Sequence, residues 1–196
     1  MVAIITGDIV RSRTGNPDIW LPELKTALSV YTDKFDIFRG DSFQAEISLN
    51  EVFEFVFYIK ASLIAIQLDA RIGIGIGQKD NQAKHLKHTF GSALVYSGEA
   101  FDELKKETVF FRSADAELDA LCNTVLPLIT EISSRWTSNI AATVKSALIN
   151  EGINQVDLAK LLGKKHQSQI STELQKAGFS KMQRALSYCT RNLLKL

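Results

Sequence analysis

Residues 2–10 read Val-Ala-Ile-Ile-Thr-Gly-Asp-Ile-Val, an almost unbroken apolar run in which one carboxylate, Asp8, stands near the end. A run of this kind is typical of a central strand that is buried on both faces. A carboxylate at the end of such a strand is costly to remove from water unless it is paired or bound to a metal. The stretch therefore predicts a core strand with a functional end.

A second aspartate, Asp41, follows Gly40 between the apolar segments 35–39 and 43–47. This pattern predicts a β-hairpin with Asp41 in its turn. Two carboxylates that meet would suit a hard divalent cation, Mg²⁺ or Mn²⁺, which prefers oxygen ligands and can bridge to phosphates. Asp8 and Asp41 are therefore the candidate metal ligands.

An alternative stays open for both aspartates. Asp8 could cap a turn and pair with Arg11 or Arg39, and Asp41 could be an ordinary turn residue, since aspartate is favoured in turns. The first interpretation needs the two carboxylates to lie together, whereas the second does not.

The other patterns up to residue 114 predict the order β-α-β-β-α-β, followed by a helix and a strand. Pro22 stands where the first helix would begin, and Ser48 with Glu51 has capping-box spacing before the second. This order is that of a ferredoxin-like, split βαβ arrangement. The remaining elements are expected as a helix over 51–66, a strand over 70–77, a helix over 91–106, a strand over 108–112 and a connecting helix over 115–133 that bends or restarts near Pro127.

The strand predicted over 70–77 alternates isoleucine with glycine. Its isoleucines would point to one face of the sheet and its glycines to the other. A face without side chains admits the close approach of a helix or of a ligand. Helix packing is the expected reason.

The charges divide the chain into an acidic and a basic part. Residues 134–196 carry ten Lys or Arg against three Asp or Glu, a net charge of +7, whereas residues 1–133 carry thirteen against nineteen, a net charge of −6. We therefore expect an α+β domain over 1–114, a connecting helix over 115–133 and an all-α domain over 134–196.

No apolar stretch is long enough to span a bilayer, so the expected location is the cytoplasm, without a membrane partner. The two cysteines, Cys122 and Cys189, are expected as reduced, buried thiols.

The basic part has the signature of a helix-turn-helix. Asn154 is a candidate N-cap for a helix over 155–162, Gly163 would supply the turn, and a second helix is expected over 166–176. The segment resembles the region-4 type of helix-turn-helix in sigma factors and response regulators. The gap between Gly163 and Ile170 is one residue longer than is usual for that type.

Double-stranded DNA is the expected partner of this module. Small polar side chains of the second helix would read base edges in the major groove, and Lys181 and Arg184 would join the lysines beside this helix in contacting phosphates. A module of the same fold can also dock to proteins, and that alternative stays open. The candidate DNA-binding residues are Lys164, Lys165, Gln167, Ser168, Ser171, Thr172, Gln175 and Lys176.

A family resemblance enters with three motifs: Thr-Gly-Asp-Ile at 6–9, Arg-Gly-Asp-Ser-Phe at 39–43 and Arg-Ile-Gly-Ile-Gly-Ile-Gly at 71–77. In order and spacing they resemble the core motifs of the palm domain of class III nucleotide cyclases, over about the first hundred residues. The chain as a whole, with its C-terminal module, resembles more closely the SatD family of small bacterial proteins. The cyclase resemblance implies a two-metal site, and a homodimer is compatible with it, because cyclase sites form between two subunits.

The cyclase resemblance also implies roles for individual residues. Asp8 and Asp41 would be the metal carboxylates, and the carbonyl of Ile9 a third ligand. The loop after the first strand would hold phosphate oxygens of a nucleotide, and the turn glycine would provide the backbone freedom that the turn needs. The residues implied in phosphate or nucleotide binding are Arg11, Ser12, Arg13, Arg39 and Gly40.

The chain departs from the cyclase pattern on the later helix. Val95 falls where cyclases carry an asparagine and Glu99 where they carry an arginine, and a glutamate would repel a polyphosphate. We therefore expect no catalytic residue, and a DNA-binding regulatory protein whose palm-like domain binds a nucleotide or phosphate ligand with a divalent metal. The alternative is a metal-dependent nucleotidyl or phosphoryl transferase with a helical docking tail.

Overall fold

The computed structural model describes residues 1–38, 40–80 and 86–196, and these form an α+β structure with one five-stranded mixed sheet. Nothing is described of the side chains of Thr14 and Lys87. The strands are β1 (Val2–Val10), β2 (Phe35–Phe38), β3 (Ser42–Ile47), β4 (Asp69–Gly77) and β5 (Val109–Arg112). Their order across the sheet is β2-β3-β1-β4-β5, with antiparallel pairing throughout except between β4 and β5, which are parallel.

Helices account for most of the remaining described chain. They are α1 (Pro17–Ser29), α2 (Val52–Ala65), α3 (Ser92–Asp102), α4 (Ala116–Ser133), α5 (Ser138–Ile149), α6 (Gln155–Leu161), α7 (Gln167–Lys176) and α8 (Phe179–Leu193). Two short 3₁₀ turns, Ser12–Thr14 and Leu86–His88, lie in the connections.

One face of the sheet packs against α1 and α2. Side chains at alternate positions of β1, β3 and β4 enter this layer, among them Ile5, Phe43 and Ile74, which are all fully buried. The helix α2 is apolar nearly all round and carries one fully buried cation, Lys60. Its ammonium bonds to Asp69 at 2.7 Å, and although burial lowers the pKa of Lys60, that ion pair offsets part of the effect.

The other face of the sheet packs against α3 through the glycines of β4. A Cβ atom placed on Gly75 would lie 2.1 Å from the Ser97 nitrogen and 2.3 Å from the Ala93 carbonyl oxygen. A Cβ on Gly73 would similarly lie 2.5 Å from the Phe101 nitrogen. The glycine face therefore receives a helix backbone, as expected, because only glycine lets two backbones approach so closely.

Two expectations about helices were wrong, and a third was wrong in part. The first helix begins at Pro17, which occupies the favoured first position after the Asn16 cap, so Pro22 lies inside α1. The Ser48 hydroxyl bonds to the Glu51 carboxylate instead of to a helix amide, so no capping box forms. The helix α4 continues through Pro127 as one element, so it does not restart there.

The hydrophobic core continues from the sheet into the C-terminal helices. The cluster that contains Ile5 also contains Trp136, Ile140 of α5 and Leu186 of α8, and α5 packs along α2. A separate small cluster is formed by Leu158, Ala159 and Ile170 of α6 and α7. The division of the chain near residue 133 stays a prediction, since the two parts share most of their core.

The two cysteines, distant in sequence, meet inside this shared core. Cys122 of α4 and Cys189 of α8 are both free and fully buried. The contact between the two thiols, together with burial, raises the pKa of the Cys122 thiol above its ordinary value. Both residues therefore act as small apolar side chains that join α4 to α8.

Candidate functional site

An open cleft of about 400 Å³ lies at the end of β1, where the strand leads into the loop before α1. Both aspartates singled out in the sequence line it, and so do the loop residues that follow β1. The predicted site residues that share this cleft are Asp8, Ile9, Arg11, Ser12, Arg13 and Asp41. Gly40 has a φ of +90°, the backbone conformation that glycine tolerates best, and Arg39 lies outside the described residues.

Asp8 is held by an arginine that the sequence interpretation did not choose. Its carboxylate accepts two hydrogen bonds from Arg71, at 3.0 Å to Nε and 2.5 Å to Nη2. Asp8 and Arg71 are direct cross-strand partners in the antiparallel pair β1–β4, so their side chains leave the same face of the sheet. The alternative interpretation of Asp8 named Arg11 or Arg39 as its partner, and only the register of the sheet reveals Arg71.

Arg71 also touches the helix on the second face. Its guanidinium carbon lies 5.5 Å from the centre of the Phe101 ring on α3. The hydrogen bonds that Arg71 donates to Asp8 raise the pKa of Arg71 above its ordinary value, although partial burial opposes this. The arginine is therefore a fixed positive charge at one wall of the cleft.

Asp41 is fixed by the loop that follows β1. Its carboxylate accepts a hydrogen bond of 2.5 Å from the Ser12 hydroxyl, and its backbone carbonyl accepts one of 3.1 Å from the Ile9 amide. The loop begins at Arg11, whose φ of 61° is unusual for a residue other than glycine. The turn of the hairpin and the loop after β1 are thus tied together at the cleft.

Each carboxylate of the cleft has a partner within the protein. Among the described residues, no three His, Cys, Asp or Glu side chains come together as a group that could hold a metal. The donors available to a cation are the carboxylates of Asp8 and Asp41, while Arg11, Arg13 and Arg71 supply positive charge for an anion in the same cleft. The cleft therefore brings together two carboxylates and three guanidinium groups.

The two residues that replace the catalytic groups of cyclases lie on α3. Val95 is largely exposed. The Glu99 carboxylate is 3.4 Å from Nε of Arg112 on β5, in an ion pair at the surface. Neither residue lines the cleft, so neither provides it with a group that could stabilise developing charge.

The C-terminal helix pair has the local structure that its sequence predicts. Asn154 caps α6 by accepting hydrogen bonds from the amides of Val156 and Asp157. Gly163 has a φ of +63° directly after the helix, and His166 caps α7, whose helical residues begin at Gln167.

Most of the predicted DNA-binding residues are exposed on or beside α7. These are Lys165, Gln167, Ser168, Ser171, Thr172, Gln175 and Lys176. Lys164 differs, because its ammonium forms an ion pair of 3.0 Å with Glu173 and is mostly covered. Gln167 donates a hydrogen bond to Gln155 of α6, and this contact orients its amide.

Two of these residues also border a second hollow. A groove of about 690 Å³ runs between α5, α6, α7 and the start of α8, and both Ser171 and Gln175 line it. Its floor is apolar, with Leu158, Leu174 and Phe179 among the lining residues. The exposed face of α7 is therefore continuous with a depression that leads to α8.

Comparison with known proteins returned no family model, no curated protein and no solved structure that matches this chain. Within the described residues, no helix combines the length and the apolar character that crossing a membrane requires.

Proposed function

We propose that this protein is a DNA-binding regulator of transcription whose N-terminal palm-type domain binds a nucleotide or phosphate ligand together with Mg²⁺ or Mn²⁺. In this proposal the chain is a member of the SatD family. The module formed by α6 and α7 recognises duplex DNA, and the cleft at the end of β1 receives the ligand.

A ferredoxin-like, palm-type fold is supported by the strand order. The first four strands form an antiparallel sheet in the order β2-β3-β1-β4, with α1 and α2 on the same face. A split βαβ arrangement has this topology. The carboxylates of Asp8 and Asp41 then belong at one end of the sheet, as a metal site of the cyclase kind requires.

The observation that carries the DNA-binding proposal is the exposed face of α7. The helix is anchored by Ile170, which is fully buried against Leu158 and Ala159. Its other face presents hydroxyl and amide side chains, which can bond to base edges, and carries no acidic side chain among the exposed residues. A surface of this composition on the second helix of such a pair suits the major groove.

The DNA test uses the full-length protein and selection from random duplexes, followed by titration of the selected duplex. Thr172→Ala or Ser168→Ala should relax the preference for the selected bases, by about 1–3 kcal/mol for a good base contact. Lys165→Ala with Lys176→Ala should weaken binding to all duplexes alike and reduce its salt dependence. Absence of binding to any duplex at low salt would overturn the proposal in favour of protein docking.

The metal part of the proposal turns on Arg71. Its guanidinium now satisfies Asp8, in the position where a divalent cation would bind that carboxylate. A cation that binds Asp8 and Asp41 would displace Arg71, and the released guanidinium could then bond to a phosphate oxygen of the ligand. Ligand and metal would on this account bind cooperatively.

The rival function, phosphoryl or nucleotidyl transfer, is tested by product formation. Under the regulator proposal, purified protein incubated with labelled nucleoside triphosphates and Mn²⁺ should release no cyclic nucleotide, because Val95 and Glu99 stand where the cyclase pattern has an asparagine and an arginine. A product that forms with the native chain and disappears in Asp8→Ala would replace the regulator by an enzyme.

A further inference from the structure

The helix α8 exposes a stripe of cations along its length. Lys181, Arg184 and Arg191 are all exposed, and their spacing of three and seven residues brings them to one side of the helix. Tyr188, which is half exposed, lies on the same side, with the Arg191 guanidinium carbon 5.9 Å from its ring centre. The stripe thus consists of three cations, and the ring of Tyr188 lies between Arg184 and Arg191.

No acidic side chain balances this stripe. Residues 174–196 contain five Lys or Arg and no Asp or Glu. Among the ion pairs of the described residues, none involves Lys181, Arg184 or Arg191. By contrast, Lys145 of α5 and Lys164 before α7 each have a carboxylate partner. Unpaired cations on a rigid helix are ready to bind an anionic partner without giving up contacts of their own.

The opposite side of α8 is fully used by the core. Met182, Leu186, Cys189 and Leu193 are buried against α4 and α2. An amphipathic helix binds a membrane by inserting its apolar face, and here that face is not available. The anion that the stripe fits is therefore one bound through charge and hydrogen bonds alone, as a nucleic-acid backbone is.

The stripe is continuous with the exposed face of α7. Ser180 and Gln183 at the start of α8 line the groove that Ser171 and Gln175 border. Ser180 and Gln183 also line a separate, shallow hollow of about 640 Å³, and Arg184 and Arg191 line this hollow too. One polar surface thus leads from the second helix of the helix-turn-helix to the cationic stripe.

We propose that the stripe on α8 is a second DNA-contacting surface, which holds the phosphate backbone of the duplex beside the segment read by α7. The proposal rests on the proposed function and deepens it: Lys181 and Arg184, which the sequence predicts as phosphate contacts, form one surface with Arg191 on α8. From the first to the last of these cations, ten residues of helix span about 15 Å. That length covers about four nucleotides of one strand along the duplex axis, which is enough for three phosphate contacts.

The test measures duplex affinity at several salt concentrations with the full-length chain. The variant Lys181→Gln/Arg184→Gln/Arg191→Gln should reduce the slope of log affinity against log salt by about 2.7, since each lost phosphate contact removes about 0.9. The matched control is Lys25→Gln/Lys105→Gln/Lys106→Gln, which removes three exposed cations from α1 and the turn after α3 and should leave the slope unchanged. Circular dichroism melting of both variants should match the native chain, because all six side chains are exposed.

The outcomes separate this inference from the function on which it rests. If the native chain binds DNA and the α8 variant shows the same salt slope as the native chain, the role of α8 is overturned and that of the α7 module is not. Equal losses in both triple variants would mean a general charge effect and would also overturn it. If the native chain binds no duplex, or is retained only on vesicles of anionic lipid, both proposals are overturned. If the native chain prefers single-stranded nucleic acid and Tyr188→Ala abolishes that preference, the partner is unpaired nucleic acid and not a duplex.

Discussion

At the scale of single residues, the cleft depends on which partner holds each aspartate. Asp8 lies directly opposite Arg71 in the sheet and bonds to it through both carboxylate oxygens. Asp41 is oriented by Ser12 from the neighbouring loop. An arginine can satisfy a carboxylate as a divalent cation would, but it brings no open coordination positions. Under the proposed function, metal binding would therefore be an exchange of partners, and its affinity would include the cost of releasing Arg71.

The first residue-scale prediction concerns metal binding. Mn²⁺ with a nucleoside triphosphate should raise the melting temperature of the native chain, because a ligand that binds only the folded state stabilises it. In Asp41→Ala the rise should disappear while the melting temperature without metal stays nearly unchanged. Asp33→Asn, which alters an exposed carboxylate outside the cleft, should behave as the native chain does. A full rise in Asp41→Ala would rule out the metal site.

The second prediction concerns pH and Glu46. Burial opposes ionisation, but hydrogen bonds from Lys79 and Lys34 hold the pKa of Glu46 below its ordinary value of 4.5. A carboxylate with a lowered pKa contributes stability that is present above the ordinary value and is lost as pH falls through the folded value. Glu46→Gln should therefore cost about 1 kcal/mol at pH 7 and progressively less below pH 4.5. Denaturant unfolding at several pH values measures this, and Glu107→Gln, at an exposed carboxylate, should show no such trend.

At the scale of elements, the strand β4 packs against helices on both faces of the sheet. The isoleucines of β4 enter the core beneath α2, and its glycines receive the backbone of α3. The helix α3 is placed so closely that Ser97 also bonds to Thr6 of β1, at 3.0 Å. Since Phe101 of α3 packs on Arg71, the position of this helix bears directly on the wall of the cleft.

The element-scale prediction uses two glycines as a pair. Gly75→Ala should destabilise the protein by about 1–3 kcal/mol, because the new methyl group meets the backbone of α3 and the layers must separate. Gly98→Ala lies in α3 where a Cβ meets nothing within 4 Å, so it should stabilise by roughly 0.5–1 kcal/mol through helix propensity. Urea unfolding of both variants provides the comparison. Equal effects of the two would contradict the close packing of β4 on α3.

At the scale of the whole molecule, the basic part is built onto the acidic part. The helix α5 packs along α2, and Lys145 of α5 forms an ion pair with Glu23 of α1. Thr143 of α5 in turn donates a hydrogen bond of 2.5 Å to Glu173 of α7, which also holds Lys164. Polar contacts therefore tie the helix α5 both to α1, which follows the cleft loop, and to α7, whose Glu173 holds the turn between α6 and α7.

The whole-molecule prediction is a single cooperative unfolding transition. The chain has two tryptophans, Trp20 in α1 and Trp136 before α5, and both are buried in the shared core. In Trp136→Phe the fluorescence reports the N-terminal part, and in Trp20→Phe it reports the C-terminal part. In each variant the fluorescence transition in urea should coincide with that of circular dichroism. Separate midpoints would mean that the predicted boundary near residue 133 divides two domains that unfold independently.

Local patterns in the sequence were enough to predict most of the elements. The apolar run at residues 2–10, the hairpin around Asp41 and the alternation of isoleucine and glycine in β4 all depend on neighbours that are close in the chain. The same holds for the Asn154 cap and the turn at Gly163. Where local signals competed at Pro22, the Asn16 cap with Pro17 in the first helical position determined the start of α1. At Pro127 the helix α4 continues as one element.

The partners of the charged groups came only from the tertiary structure. That Asp8 bonds to Arg71 follows from the register of two strands more than sixty residues apart, and that Lys164 is occupied by Glu173 follows from how α7 folds back beside the turn. Periodicity determines which face a side chain occupies, because it depends on the backbone geometry of a single element. The pairing of faces depends on how the elements pack, and in this protein that packing brought two aspartates into one cleft and left the cations of α8 without a carboxylate.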